Sequence, residues 1–249
     1  MNNYVILTDS CSDIPPTIAR NFPLHVIPMR FTIQDNTFLN YPDEREMPTK
    51  DFYRLLKEGA TSSTSQLNAY EFIENVTPLL EQGLDVLYIG FSSALSGTYH
   101  SFLMAKQELQ EKFPDRKILS VDSLAASLGE GLLVYTALQL QQAGKTIEEV
   151  ADYIENNKLN LVHLFTVDDL NFLKRGGRLS SASAFVGTML QLKPLLHVTN
   201  EGKLVPYGKT IGRKHSIKKM VDDMEASITD PENQTIFISH GDALEDAQY

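Results

Sequence analysis

The fold is decided by the stretch Val86-Leu87-Tyr88-Ile89-Gly90-Phe91-Ser92-Ser93-Ala94-Leu95-Ser96-Gly97-Thr98. Its first four residues are apolar and mostly β-branched or aromatic, which is typical of a buried strand. From Thr98 to Leu109 the apolar side chains recur with helical spacing. A strand that leads through a loop of hydroxyl side chains into a helix is the repeating unit of a parallel α/β sheet.

The same alternation recurs in the first 158 residues. Short apolar runs bounded by turn residues predict further strands at residues 5–7, 26–27 and 118–121. Helical periodicity predicts helices over residues 50–56, 69–80 and 132–141, and a capping box opens another at Thr146-Ile147-Glu148-Glu149. We therefore predict an N-terminal α/β domain, residues 1–158, with a parallel Rossmann-like sheet.

The pattern changes after residue 158, where we place a domain boundary. Apolar runs at residues 195–198 and 203–211 flank Asn200-Glu201-Gly202 and predict a β-hairpin, hence a second α/β domain, 159–249, with a mixed sheet. We also predict a helix over residues 182–192 and a last strand over residues 235–239. Because such a strand usually leads into a covering helix, we expect this domain to be truncated.

Composition and charge narrow the classes of function. The net charge of −10 repels a polyanion, so nucleic acid is not expected as a partner. One cysteine, Cys11, leaves no disulfide framework and favours a cytoplasmic location. No run of about 20 apolar residues predicts a transmembrane segment. The histidines lack zinc-ligand spacing and no Gly-x-Gly-x-x-Gly follows the first strand, so we expect neither a metal nor a cofactor.

Hydroxyl side chains gather where predicted strands meet helices, at the edge where parallel sheets bind ligands. We predict that Ser96 is the N-cap of the helix at Thr98 and that the first-turn amides of Gly97 and Thr98 make an anion site, which fits a carboxylate. The alternative for each hydroxyl is that it caps only its own helix. Similar loops occur at Thr8-Asp9-Ser10, Thr61-Ser62-Ser63-Thr64-Ser65-Gln66 and Asp122-Ser123.

Five motifs occur in a fixed order along the chain. They are Leu7-Thr8-Asp9-Ser10 with Asp13-Ile14-Pro15, Thr64-Ser65-Gln66, Ser92-Ser93-Ala94-Leu95-Ser96-Gly97-Thr98-Tyr99, Val121-Asp122-Ser123 with Ser127-Leu128-Gly129-Glu130-Gly131, and Leu173-Lys174-Arg175-Gly176-Gly177-Arg178-Leu179-Ser180. This series resembles the DegV family of fatty-acid-binding proteins. The resemblance implies two α/β domains with a long-chain fatty acid buried between them and its carboxylate held by Thr64 and Ser96.

The residues next to these two hydroxyls complete the predicted ligand site: Ser65, Ser92, Ser93, Gly97 and Thr98. Apolar side chains that could line a tunnel for the acyl chain, or be ordinary core, are Phe165, Phe172, Phe185, Met189 and Leu195. Two departures from the family pattern stand out. Leu67 follows the triplet where proline is usual, and the family's His-x-Gly-Pro-Gly motif would fall beyond Tyr249, which would leave one wall of the site to further residues.

The resemblance also implies a partner. Some family members are the acyl-binding subunit of a two-component fatty acid kinase and present the carboxylate to a separate ATP-binding subunit, which makes the acyl phosphate. This chain would then be a lipid-binding protein and not an enzyme. Candidate docking residues for an acidic partner are Arg178, Lys209 and Arg213, which lie in two basic clusters of the sequence. The alternative is that these clusters are only solvated surface.

An enzyme at the same crevice is the alternative from another class. It would act on a small carboxylated or phosphorylated metabolite with Asp9 or Asp122 as general base. Such an enzyme needs an open polar pocket, whereas a fatty acid needs a closed apolar tunnel. A regulatory domain that senses a lipid would differ from the leading hypothesis only in its partner.

Overall fold

β1 (Tyr4–Asp9) is the strand around which the N-terminal part of the protein folds. In the computed structural model, which describes residues 3–179 and 192–249, all six of its side chains are buried. A strand buried on both faces is expected in a parallel sheet that helices cover on both sides. The apolar run Val5-Ile6-Leu7 thus forms the strand that its composition predicts.

The chain divides into two compact units, Met1–Lys158 and Leu159–Tyr249. The other described strands are β2 (Leu24–Ile27), β3 (Met29–Ile33), β4 (Asn36–Asn40), β5 (Ser62–Ser65), β6 (Asp85–Gly90), β7 (Ile118–Asp122), β8 (Leu164–Thr166), β9 (Leu192–Val198) and β10 (Leu204–Ile211). The described helices are α1 (Pro16–Asn21), α2 (Thr49–Lys57), α3 (Ala69–Glu81), α4 (Thr98–Lys112), α5 (Ser127–Gln142), α6 (Ile147–Asn157), α7 (Leu170–Gly176), α8 (Arg213–Ser227) and α9 (Leu244–Gln248).

Four strands of the first unit form a parallel sheet in the order β2-β1-β6-β7. From β1 the chain moves to β2 on one side, and from β6 it moves to β7 on the other. This reversal places the carboxyl ends of β1 and β6 at a topological switch point, where open α/β sheets bind their ligands. The predicted α/β fold with a parallel sheet is confirmed.

An aromatic cluster fixes two helices to this sheet. Phe72 of α3, Tyr88 of β6 and Phe102 of α4 are fully buried. The ring centroid of Phe72 lies 5.2 Å from each of the other two, and those of Tyr88 and Phe102 are 4.4 Å apart. Because α4 packs so closely beside β6, the loop that joins them is held at both ends.

A small antiparallel sheet, with the order β4-β3-β5, is a feature that the sequence did not predict. Its strand β5 consists of Ser62-Ser63-Thr64-Ser65, all exposed, where we expected a loop before a helix. Such a segment has no apolar alternation from which a strand could be recognised. Pairing with β3 holds it in place, with Thr64 opposite Phe31.

The described strands of the second unit form an antiparallel sheet in the order β10-β9-β8, and an isolated parallel bridge joins Leu179 to Leu204. The predicted hairpin is confirmed as β9 and β10. Its turn closes with a hydrogen bond from Gly202 N to Thr199 O at 2.8 Å. Gly202 has a φ of +74°, a conformation that glycine adopts without strain.

Two predictions for this unit have different outcomes. The predicted strand at residues 235–239 is wrong, because that segment has no regular secondary structure. β-Branched composition alone does not make a strand, since β propensity reflects packing on a half-buried surface, and Ile236 and Ile238 are 52% and 65% exposed. The predicted helix over residues 182–192 lies outside the described residues except for Leu192, which begins β9.

Candidate functional site

The loop between β6 and α4 is stabilised by its own serine side chains and amides. Ser92 is fully buried, and its Oγ accepts a hydrogen bond from Ala94 N at 3.3 Å. The Ser92 carbonyl accepts from Leu95 N at 3.0 Å and from Ser96 N at 3.2 Å. The Ser92 amide donates to Ala125 O at 3.0 Å, which ties the loop to the segment after β7. Ser92, a predicted ligand residue, therefore lies inside the loop and holds its shape.

The turn Ser96-Gly97-Thr98 leads into α4. The prediction that Ser96 is the N-cap is wrong by one residue, because Gly97 occupies the cap position. The Ser96 Oγ still accepts a hydrogen bond from Thr98 N at 3.2 Å and lies 2.9 Å from Thr98 Oγ1. Thr98 is fully buried and Ser96 is half-buried. The Ser96 hydroxyl is thus the one that can also reach a ligand outside the turn.

The Thr64-Ser65-Gln66 triplet meets this turn through Gln66. A methyl group added to Gly97 would lie 2.4 Å from Gln66 Oε1 and 3.0 Å from Gln66 Cδ, so Gly97 leaves the room that the Gln66 side chain occupies. Thr64 and Ser65, at the end of β5, are exposed. The structure therefore brings together two predicted motifs that lie far apart in the sequence.

Asp9 lies at the end of β1, at the switch point, and is fully buried. Its Oδ2 accepts hydrogen bonds from the Tyr88 hydroxyl at 2.7 Å and from Phe91 N at 3.3 Å, and its Oδ1 accepts from Cys11 N at 3.0 Å. Burial raises the pKa of Asp9, while these donors act in the opposite direction. Three donors on one carboxylate make Asp9 a place where negative charge is stabilised.

A second buried carboxyl group, that of Glu130 on α5, interacts electrostatically with Asp9. Thr8 Oγ1 donates to Glu130 Oε1 at 3.0 Å, and within the described residues Glu130 Oε2 has no hydrogen-bond partner. Burial, and then the charge of Asp9, raise the pKa of Glu130 well above its ordinary value. Asp9 accepts three hydrogen bonds and Glu130 accepts one, so hydrogen bonding favours the charged form of Asp9 more than that of Glu130.

Asp122 ends β7, on the other side of β6. Its Oδ1 accepts hydrogen bonds from Ser93 N at 3.2 Å and from Leu124 N at 3.1 Å, and its carbonyl accepts from Lys158 Nζ at 2.9 Å. Asp9 and Asp122 were the candidate general bases of the enzyme alternative. Both bind backbone amides of the same loop, which favours a structural role for their side chains.

The predicted tunnel residues of the second unit have different environments. Leu195 is 2% exposed and lies in the core, and Phe165 is half-buried in β8. Phe172 is 47% exposed, with the Arg175 guanidinium 4.5 Å from its ring centroid. The remaining two lie outside the described residues: Phe185 and Met189.

The candidate docking residues also differ from one another. Arg178 and Lys209 are exposed. Arg213 Nε donates to Asp246 Oδ2 at 2.7 Å, and Arg213 Nη1 lies 4.0 Å from Asp168 Oδ1. Carboxylates therefore surround the charge of Arg213, whereas the side chains of Arg178 and Lys209 are exposed to solvent.

Residues 3–179 and 192–249 contain no helix that is long and apolar enough to cross a membrane. In the same ranges, no three histidine, cysteine, aspartate or glutamate side chains lie together in a way that could hold a metal ion. The features described above thus come from hydroxyl groups, amides and buried carboxyl groups.

The sheet order and the hydroxyl loop define an α/β protein with a loop rich in hydroxyl side chains at the switch point of its parallel sheet. A family model described as "uncharacterised protein, DegV family" matches residues 3–249. A DegV domain-containing protein of Clostridium perfringens, CPE0026, is 44% identical over 248 residues, which is 100% of this chain and 85% of that protein. The chain belongs to the DegV family.

Solved structures of this family have the same fold. A DegV family protein from Thermus thermophilus, described as binding fatty acid, is 32% identical, with a TM-score of 0.78 over 90% of this chain and 78% of that one. Bacillus subtilis DegV, described as a fatty acid binding protein, is 31% identical, with a TM-score of 0.75 over 91% and 78%. A DegV lipid binding protein from Thermotoga maritima is 29% identical, with a TM-score of 0.78 over 91% and 77%.

Proposed function

We propose that this chain binds a long-chain fatty acid. The carboxylate of the fatty acid is held by the hydroxyls of Thr64 and Ser96 and by the amide of Gly97 at the start of α4, while the Thr98 amide donates to Ser96 Oγ and fixes that hydroxyl. The observation that carries this proposal is the contact between Gln66 and Gly97, which joins the Thr-Ser-Gln triplet to the Ser-Gly-Thr turn. The fatty acid binding described for relatives that are 31% and 32% identical supports the class of ligand.

The chemistry of the turn suits a carboxylate. Hydroxyl groups and helix N-terminal amides donate hydrogen bonds to an anion without adding a formal charge. The net charge of −10 gives no long-range attraction for an anion, so these local donors must hold the head group. Burial of the acyl chain supplies most of the affinity, since about 0.8 kcal/mol per methylene gives on the order of 10 kcal/mol before association costs are subtracted.

Native mass spectrometry of the purified protein tests the ligand directly. We expect a co-purified long-chain fatty acid, and protein that is bare both as purified and after incubation with fatty acid would contradict the proposal. A binding titration then tests the site. The double variant Thr64→Val and Ser96→Ala should weaken affinity by about tenfold or more, since two donors to a charged group are lost.

A matched control for this variant lies in the same small sheet. Thr37 is an exposed threonine on the opposite edge strand, β4. Thr37→Val makes the same change as the Thr64→Val half of the double variant and should leave fatty acid affinity unchanged. Equal affinity for the double variant and the control would place the carboxylate elsewhere.

We also propose that the protein, acting in the cytoplasm, presents the bound fatty acid to a separate ATP-binding kinase subunit. A carboxylate oxygen of the fatty acid would attack the γ-phosphorus of ATP on that subunit, so that the new P–O bond gives the acyl phosphate and ADP leaves. The exposed cations Arg178 and Lys209, on a chain of net negative charge, support docking of an acidic partner.

Reconstitution tests this second step. The protein loaded with fatty acid is mixed with an ATP-binding kinase subunit from the same organism and with ATP, and acyl phosphate is trapped with hydroxylamine. Lys209→Glu should slow acyl phosphate formation and leave fatty acid binding intact, whereas Lys50→Glu, an exposed lysine on α2, should change neither. Transfer at the parent rate by Lys209→Glu would exclude this docking residue.

A further inference from the structure

We propose that Asp122 is a positioning residue of the carboxylate site, and this inference rests on the function proposed above. Asp122 Oδ1 accepts a hydrogen bond from Ser93 N at 3.2 Å, and Asp9 Oδ2 accepts one from Phe91 N at 3.3 Å. β1 and β7 are the two neighbours of β6 in the sheet. The loop that leaves β6 is therefore fixed from both flanking strands by a carboxylate.

Three successive amides of this loop have acceptors on the neighbouring chain segments. Phe91 N donates to Asp9, Ser92 N donates to Ala125 O at 3.0 Å, and Ser93 N donates to Asp122. Buried backbone amides need an acceptor, and a loop cannot supply one through regular pairing. The side chains of Asp9 and Asp122 take the place of the missing pairing.

The position of Ser96 depends on this anchoring. Ser96 N donates to Ser92 O at 3.2 Å, so the proposed ligand hydroxyl is set by the conformation of residues 91–93. Loss of the Asp122 acceptor frees Ser93 N and loosens the turn from which Ser96 projects. Asp122 acts on the ligand through this backbone and not by contact.

The loop requires a hydrogen-bond acceptor on the side chain of residue 122 and not a negative charge there. The same Oδ1 also accepts from Leu124 N at 3.1 Å, and Leu124 has a φ of +51°, so one oxygen stabilises two turns. An asparagine has the same shape and keeps a carbonyl oxygen that can accept both hydrogen bonds. A general base at this position would lose its function in asparagine as completely as in alanine.

The test compares three variants. Asp122→Ala should weaken fatty acid binding by about tenfold, because it removes the hydrogen-bond acceptor of two amides. Asp122→Asn should restore affinity to near the parent value. The control is Asp85→Ala, since Asp85 at the opposite end of β6 accepts from Lys117 N at 3.0 Å in the same way, and this variant should keep parent affinity.

Hydrogen exchange of the ligand-free protein gives a second readout, which does not depend on fatty acid binding. Amides of residues 91–97 should exchange about tenfold faster in Asp122→Ala and at the parent rate in Asp122→Asn and Asp85→Ala. Unchanged exchange in Asp122→Ala, or an asparagine variant as defective as the alanine variant, would overturn the positioning role. If the parent binds no fatty acid, the proposed function fails, and the exchange rates still decide whether Asp122 fixes the loop.

Discussion

Glu130→Gln should make the protein more stable at neutral pH, and the gain should grow with pH. Glu130 is fully buried, and burial raises its pKa well above the ordinary value of 4.5. Above pH 4.5 the unfolded chain releases the Glu130 proton while the folded protein retains it, so folding becomes less favourable as pH rises. Glutamine has nearly the same shape and does not ionise in either state.

The slope follows from proton linkage. Where Glu130 binds its proton in the folded state but not in the unfolded state, its contribution to the free energy of unfolding falls by up to 1.36 kcal/mol for each unit by which pH rises. The Glu130→Gln variant should lack this contribution, so its stability relative to the parent should rise by up to about 1.4 kcal/mol per pH unit above pH 4.5, until the folded pKa is reached. The part of the change that does not depend on pH should be small, because protonated Glu130 and glutamine both offer one carbonyl oxygen to Thr8.

Urea unfolding followed by circular dichroism, at pH values from 5 to 8, measures the effect. Glu148→Gln is the control, since Glu148 lies in the first turn of α6 with a side chain that is 47% exposed, and its pKa is lowered, first of all by Lys117. That variant should be slightly less stable than the parent, with no gain that grows with pH. A constant difference between Glu130→Gln and the parent over this range would refute a proton held on Glu130.

Three other predictions concern stability. Gly131→Ala should lower the free energy of unfolding by about 1 to 3 kcal/mol, because the added methyl group would lie 2.5 Å from the Ser12 carbonyl oxygen and α5 would have to shift. An unchanged midpoint in urea titrations would contradict this prediction. Asn68→Ala should cost about 1 kcal/mol, since Asn68 and Glu71 form a capping box at α3, and Asn68→Asp should recover most of it in the same assay. Burial lowers the pKa of His163 to about 4, so His163 should oppose folding increasingly as pH falls below about 6.5, where only the unfolded chain takes up the proton; this contribution has the opposite sign to that of Glu130. In melting curves from pH 7 to pH 5, the stability of His163→Leu relative to the parent should therefore rise as pH falls, and a constant difference would show that His163 is not held neutral.

The sequence predicted the parts of the fold that depend on apolar periodicity. β1, β6 and β7 are apolar runs, and α6 begins at the predicted capping box of Thr146 and Glu149. The sequence failed at β5, whose four hydroxyl side chains carry no apolar pattern. It failed again at residues 235–239, a β-branched run without regular secondary structure, because β propensity depends strongly on context.

For the candidate site, the motifs could be recognised in the sequence, but the contacts between them could not be predicted from it. The sequence singled out Ser96 and Thr64, but only the structure shows that Gln66 lies against Gly97. The sequence alone does not distinguish a glycine that is needed because a side chain packs against its Cα from a glycine that ends a strand. The roles of Asp9 and Asp122 were likewise hidden, because a carboxylate that binds amides and one that acts as a base are the same residue until their donors are known.

The buried acids set a condition on the proposed ligand. The loop that would bind a fatty acid carboxylate is anchored to Asp9, so a second negative charge nearby has to be tolerated. Three donors stabilise the charge of Asp9, and the raised pKa of Glu130 disfavours a further charge beside it. If Glu130 ionised, its repulsion would oppose both folding and the binding of an anion at the same end of the sheet. The raised pKa of Glu130 therefore connects the stability of the sheet to the proposed binding of a carboxylate at the same end.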